Sequence, residues 1–200
     1  MAWQPDYCAV SELQTFMRIG DNQDDDVLGW AISASSRAID AFCDRQFGNV
    51  ETVQERFYTP VWDRKLFKWC VEVDDIYTLT GLVIADVENA ALTIDTSKVR
   101  GLPRNALLNG EPYTQLVILE WGAVNVRDDL AVTASYGWAS VPIAIKNACL
   151  VQASRLVTRR DAPFGIAGSS EMGSEIRLLS KIDADVQVML GGYKRWWGAV

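Results

Sequence analysis

The chain has 200 residues, 49% of them hydrophobic and 22% charged, enough to bury roughly 70% of its unfolded surface and to fold without staples. Its formal charge of −7 argues against a generic electrostatic grip on nucleic-acid phosphates, and the absence of histidine removes the commonest general base, the Ser-His nucleophile and nearly all catalytic zinc geometries. Apolar runs stay short of the ~20 residues that span a bilayer, and the start MAWQPDYC has no basic region ahead of an apolar one, so a soluble chain with no membrane segment and no secretory signal is expected.

Ser11-Glu12-Leu13-Gln14 has the form of a capping box and opens a short helix through Arg18, ended by Gly20. The acidic run Asp21 to Asp26 then leads into Val27, Leu28, Ala31, Ile32, Ser35, Ala38, Ile39, Phe42 and Cys43, an apolar stripe that predicts a helix of about 20 residues. The acidic run lacks the middle glycine and final glutamate of a calcium loop, so it reads as a cap and dipole complement, with a cation site as the lesser alternative. The cysteines Cys8, Cys43, Cys70 and Cys149 form no CxxC pair and read as plain buried thiols, a disulfide being the lesser alternative.

From Gly48 to Gly137 the texture is β-rich, with strands expected at Val53–Tyr58, Leu66–Val73, Tyr77–Ala85, Ala91–Asp95, Thr114–Trp121 and Asp129–Tyr136, and an exposed loop at Ser97–Asn109. Lys65, Lys68, Arg100 and Arg104 are interleaved with Glu72, Asp74 and Asp75, which suits a solvated face better than a nucleic-acid patch. Trp62, Trp69 and Trp121 are expected in the core, a sugar-stacking platform being the alternative. Leu130 to Tyr136 alternates as a half-buried strand, Gly137 permits a turn, and Pro142 starts a helix through Ile145, Ala148, Cys149, Ala153, Leu156 and Val157. Gln152 interrupts that stripe, Arg159 and Arg160 suit the negative helix end, and Pro163 closes it.

Phe164 to Ser174 holds Gly165, Gly168 and Gly173 among serines, the composition of a flexible arm. Glu175 to Leu179 reads as a short strand or extended arm, and Asp183 caps a last helix through Val186, Met189 and Leu190. The end carries Tyr193, Lys194, Arg195, Trp196 and Trp197, which either fold back or dock on a partner, since aromatics and arginine anchor interfaces. The expected fold class is α+β: a helical bundle of two long helices plus short N- and C-terminal helices, with an inserted antiparallel β-rich lobe. The expected division is 1–48 for the N-terminal helices, 49–137 for the β lobe, 138–163 for the second bundle helix and 164–200 for the arm.

The order of these segments, with AIDAFCDRQF, YGWASVP, RRDAPFG and EIRLLSKIDADVQVML, resembles the head-to-tail connector or adaptor proteins of tailed bacteriophages, the ring bound beneath the portal. The resemblance covers 7 to 47 and 129 to 192, while the middle from 50 to 128 is longer and more β-rich than in compact members. It implies a structural virion protein of the neck, assembled in the host cytoplasm, that closes a homo-oligomeric ring of twelve copies between the portal protein and a stopper or tail-completion protein. It also implies double-stranded DNA passing through the lumen without sequence-specific binding, and a C-terminal segment reaching the portal. Tyr193 to Trp197, with Arg159 and Arg160, are then the candidate interface; no catalytic residue, cofactor, metal or membrane is expected. An acidic lumen would let DNA slide where a basic one would hold it. Two other readings are a carbohydrate or host-surface binding module using the Trp-rich region, and a hydrolase using Asp74-Asp75 or Asp128-Asp129, whose members point to opposite faces if they lie within strands.

Overall fold

A computed structural model describes residues 4–50, 52–125, 129–160, 166–167, 176–177 and 182–195. The chain divides into two compact units, one of Met1–Phe47 with Val141–Val200 and one of Gly48–Ser140.

The first unit contains α1 (Val10–Met17) and α2 (Asp25–Cys43). Leu28, Ala31, Ile32, Ser35, Ile39 and Cys43 of α2 are buried, the three-and-four spacing that makes a helix amphipathic. The cap of α1 lies two residues earlier than the sequence suggests: Ala9 is the N-cap, and its amide donates to the Glu12 carboxylate at 3.0 Å. Only half of a capping box forms, because alanine has no side-chain acceptor.

In the second unit the strands are β1 (Gln54–Tyr58), β2 (Val61–Asp63), β3 (Lys68–Asp86), β4 (Val99–Leu102), β5 (Tyr113–Ile118) and β6 (Leu130–Tyr136). They form one antiparallel sheet in the order β1-β6-β3-β5-β4, with β2 also on β3. β3 is its spine: the first part pairs β2 and β5, the second part β6. Val71, Val73 and Asp75 are buried and then Leu82, Ile84 and Asp86, so the inward phase moves from odd to even residues. The register against β5 shifts between Glu72 and Ile76 and the register against β6 between Ile76 and Val83, the stretch in which the phase changes.

The chain returns to the first unit with α3 (Ile143–Arg160), a two-residue ladder of β7 (Ile166–Ala167) and β8 (Ile176–Arg177), and α4 (Ala184–Leu190). α3 buries Ile145, Ala148, Cys149, Gln152, Ala153 and Val157, and it packs along α2.

The expected bundle of two long helices is not what forms. Among the described residues there are four short helices, of 8, 19, 18 and 7 residues, and a six-stranded sheet with its own core. A bundle needs apolar seams on several long helices, whereas α1 buries only Leu13 and α4 only Val186 and Leu190, so α2 and α3 make a pair and not a bundle. The expected inserted antiparallel β-rich region does form, as a compact unit with its own core in which Val71, Val73, Ile76, Ile84, Leu116, Leu130 and Val132 are all fully buried. Smaller corrections follow from β3. The expected strands 66–73 and 77–85 are one strand, and Ala91–Asp95 contributes only a bridge at Thr93. The expected loop Ser97–Asn109 contains β4, where Gly101 lacks a side chain because the Tyr113 ring fills that space; an added Cβ would lie 2.5 Å from it.

Candidate partner interface

The described end of the chain is built onto the first unit. α4 starts at Asp183, whose carboxylate accepts the Asp185 amide at 2.7 Å and forms an ion pair with Arg155. The Asp183 amide donates to the Gln152 side chain at 3.3 Å. Gln152, the break in the apolar stripe of α3, is thus the polar residue that seats α4. Val186 and Leu190 are buried while Val188 and Met189 stay exposed, so α4 retains an uncovered apolar edge among the described residues.

Beyond α4, a 3₁₀ turn over Gly191–Tyr193 brings the Tyr193 ring edge-on to Phe47, with centroids 5.8 Å apart. The Arg195 amide donates to the Cys43 carbonyl at 2.8 Å, satisfying one of the acceptors that the end of α2 leaves open. The Lys194 ammonium lies 5.4 Å from the Phe42 ring centroid. The structure therefore places Tyr193, Lys194 and Arg195 together at the C-terminal end of α2. Trp196 and Trp197 lie outside the described residues, as do Gly165, Gly168 and Gly173 of the arm.

Arg159 and Arg160 occupy the last turn of α3. Arg160 pairs with Asp24 at 2.8 Å and holds that carboxyl below its ordinary value. The cation sits at a helix C-terminus and the anion at a helix N-terminus, where each dipole favours it. Arg159 has Nε and Nη2 shielded from solvent without a hydrogen-bond partner among the described residues, so its guanidinium retains donor capacity.

Tyr7, which the sequence did not single out, joins the N-terminal segment to α2. Its hydroxyl donates to Asp40 and accepts the Phe47 amide at 3.0 Å, while its own amide donates to Ser36 at 3.1 Å. Burial pushes the phenol up, and the bond to Asp40 adds to the shift. Burial also raises the Asp40 carboxyl, against the opposing pull of Tyr7 and of Arg37, 3.1 Å away. Cys8 and Cys149 are free thiols with sulfurs 3.6 Å apart; donation to Cys149 raises the Cys8 thiol, with burial second.

In the sheet, Asp74 and Asp75 are committed to different neighbours. Asp74 accepts from Arg56 at 2.7 Å and from the Tyr58 hydroxyl at 2.9 Å, while buried Asp75 accepts the Trp138 indole N–H at 2.9 Å. They share no face, as adjacent strand residues should not. Asp128 lies outside the described residues, and Asp129 accepts the Thr59 hydroxyl at 2.6 Å.

The tryptophans correct the expectation of core placement. Trp62 is exposed and Trp69 and Trp121 are half-buried. Trp62 pairs across strands with Trp69 at 5.6 Å and 71°, and Trp69 meets Trp121 at 6.4 Å and 81°. Near-perpendicular rings support one another but do not align their faces into a row for sugar stacking. Lys65, Lys68, Arg100 and Arg104 are exposed on this unit, and among the described residues no cluster of ligands suits a metal ion. No described helix is long and apolar enough to cross a membrane.

Among the exposed aromatics that the sequence reading did not single out are Trp30 on α2 and Phe67 in the turn before β3. The available signal was position, since Trp30 falls off the apolar stripe of its helix.

No protein-family model and no curated protein matches this chain. Among solved structures, a chain from the "Neck of empty GTA particle computed with C6 symmetry" aligns over 100% of this chain and 96% of its own length, with 12% identity and a TM-score of 0.56. A chain from the "Virion of native gene transfer agent (GTA) particle" aligns over the same shares with 15% identity and a TM-score of 0.52. Across its whole length the chain has the fold found in the neck of a gene transfer agent particle, in agreement with the resemblance to head-to-tail connectors carried by its residues.

Proposed function

We propose that this chain is a structural neck protein, a head-to-tail connector that closes a ring between a portal and a stopper or tail-completion ring and lines part of a DNA channel without catalysis. The observation that carries the reading is the full-length match to a chain of a particle neck, at 100% and 96% coverage. A neck computed with C6 symmetry repeats its chains in multiples of six, and a ring of twelve satisfies that count. The formal charge of −7 per copy supports a lumen that repels phosphates and lets the duplex move.

In this reading the residues after Arg195 reach the portal. Tyr193 and Arg195 are engaged with Phe47 and Cys43, so they anchor the segment, and Trp196 and Trp197 are the part offered to a partner. Deleting Trp196 to Val200 leaves the anchor intact. The truncated chain is expected to keep its circular dichroism and melting temperature while its affinity for the portal protein of the same particle falls at least ~30-fold, the loss that goes with removing a buried tryptophan hot spot. Full-strength portal binding by the truncated chain refutes this role of the tail, and absence of portal binding by the intact chain refutes the neck reading.

A further inference from the structure

We infer that the turn between β2 and β3 is a docking knob that inserts against the Trp30 face of α2 on a second copy of this chain. The turn is a built object. The Asp63 carboxylate accepts the amides of Lys65 at 2.7 Å and Leu66 at 3.0 Å, Phe67 is held at φ 50°, and next to the turn Trp62 meets Trp69 and Trp69 meets Trp121 edge to face. Its tip shows water Phe67 at 73% and Leu66 at 45% exposure, ringed by the exposed cations Arg64, Lys65 and Lys68, none of which forms an ion pair among the described residues. Two large apolar side chains left in water at one tip form a surface that gains by being covered.

Charge selects the cover. On a chain of net −7, a cationic rim around two apolar side chains is the complement of an aromatic ringed by carboxylates. α2 presents that complement: Trp30 is 73% exposed, Asp26 lies one turn before it, and one turn after it Ser33 donates to the exposed Asp6 carboxylate at 2.9 and 3.0 Å. DNA would use the cations and leave Phe67 and Leu66 in water. A knob on one copy meeting a patch on the next is a heterologous contact, the type that repeats until a circle closes. The inference rests on the ring reading for the identity of its partner and adds the residues that make the contact.

The test is an exchange of charge in the full chain, read by sedimentation velocity over a concentration series. Arg64→Glu/Lys65→Glu/Lys68→Glu makes knob and patch both negative, and Asp6→Lys/Asp26→Lys makes both positive. Each variant alone is expected to associate at least ~10-fold more weakly than wild type, and an equimolar mixture, with signs alternating around the ring, to regain association. Phe67→Ser, which changes no charge, is expected to weaken it as well. Wild-type association by either charge variant, a mixture that stays monomeric, or DNA retention lost in the triple variant without any change in self-association overturns the knob. A wild-type chain that is monomeric at every concentration yet binds portal also overturns the knob and spares the neck reading, whereas a working charge exchange without portal binding does the reverse.

Discussion

Tyr7 makes three hydrogen bonds that fasten the N-terminal segment to α2, and its hydroxyl is the only one of them a single substitution removes cleanly. Tyr7→Phe removes the acceptor of the Phe47 amide and the Tyr7 donor to Asp40, which keeps its ion pair with Arg37, and is expected to cost about 2–3 kcal/mol of unfolding free energy in a denaturant titration. The carboxylates around it carry opposite pH signatures. Lys146 holds the Glu12 carboxyl below its ordinary value, so that pair contributes stability at neutral pH and loses it as pH falls through the depressed value. Asp40 is raised, chiefly by burial, so its contribution is full below the ordinary carboxylate value and is lost as pH rises through the raised one. Between pH ~3 and ~6, Glu12→Gln should therefore flatten the rise of melting temperature with pH, and Asp40→Asn should steepen it. A sequence alone shows neither sign, because both depend on which partner a carboxylate meets after folding. Gln152 was visible as an anomaly in its stripe, but its reason, the start of α4, was not.

At the scale of elements, periodicity and β-rich composition located α1, α2, α3, α4, β1, β5 and β6 to within a few residues. Periodicity failed where the period changes within an element. Asp74-Asp75 reads as a break between two strands, yet β3 runs through it: Asp75 keeps the inward phase of Val71 and Val73, and there Trp138 donates to its carboxylate and Gly137 to its carbonyl at 2.6 Å. β2 and β4, of three and four residues, are too short to show any period and exist by virtue of their pairing to β3 and β5. Gly137 was legible as a turn but not for its closest neighbour. It adopts φ +103°, and a Cβ there would lie 2.1 Å from the Gly48 carbonyl oxygen. Gly137→Ala is expected to destabilise the sheet unit by on the order of 3–5 kcal/mol, with the loss read in chemical denaturation, since both backbone strain and a clash with backbone must be relieved.

For the whole molecule, the order of segments was informative where composition was not. Acidity and the missing histidine excluded classes of function, but the neck resemblance came from YGWASVP and RRDAPFG and from their place after a β-rich middle. The same reading overstated the helices: two strong stripes imply long helical partners, and among the described residues there is a single pair of 19 and 18 residues in one unit and a sheet with its own core in the other. Exposed aromatics were the least legible class: Trp30 could be told from its place off the apolar stripe of α2, whereas Trp62 in a three-residue strand reads as interior by default and only the packed chain shows it in water. Two units with separate cores also predict separable behaviour. Leu28→Ala should cost about 2–5 kcal/mol in the helical unit, and hydrogen exchange should register the loss in α2 and α3 more than in β3 and β6.

The backbone bond from Arg195 to Cys43 ties the final described residue to the terminal turn of a helix. It works as a mooring. A force applied to the chain downstream falls first on the contacts of Tyr193, Lys194 and Arg195 with Phe47, Arg45, Phe42 and Cys43, and then on the deeper packing of α4. A partner that grips the last five residues would thus load the tip of α2 directly, and slackening there would be the earliest sign that the joint is under tension.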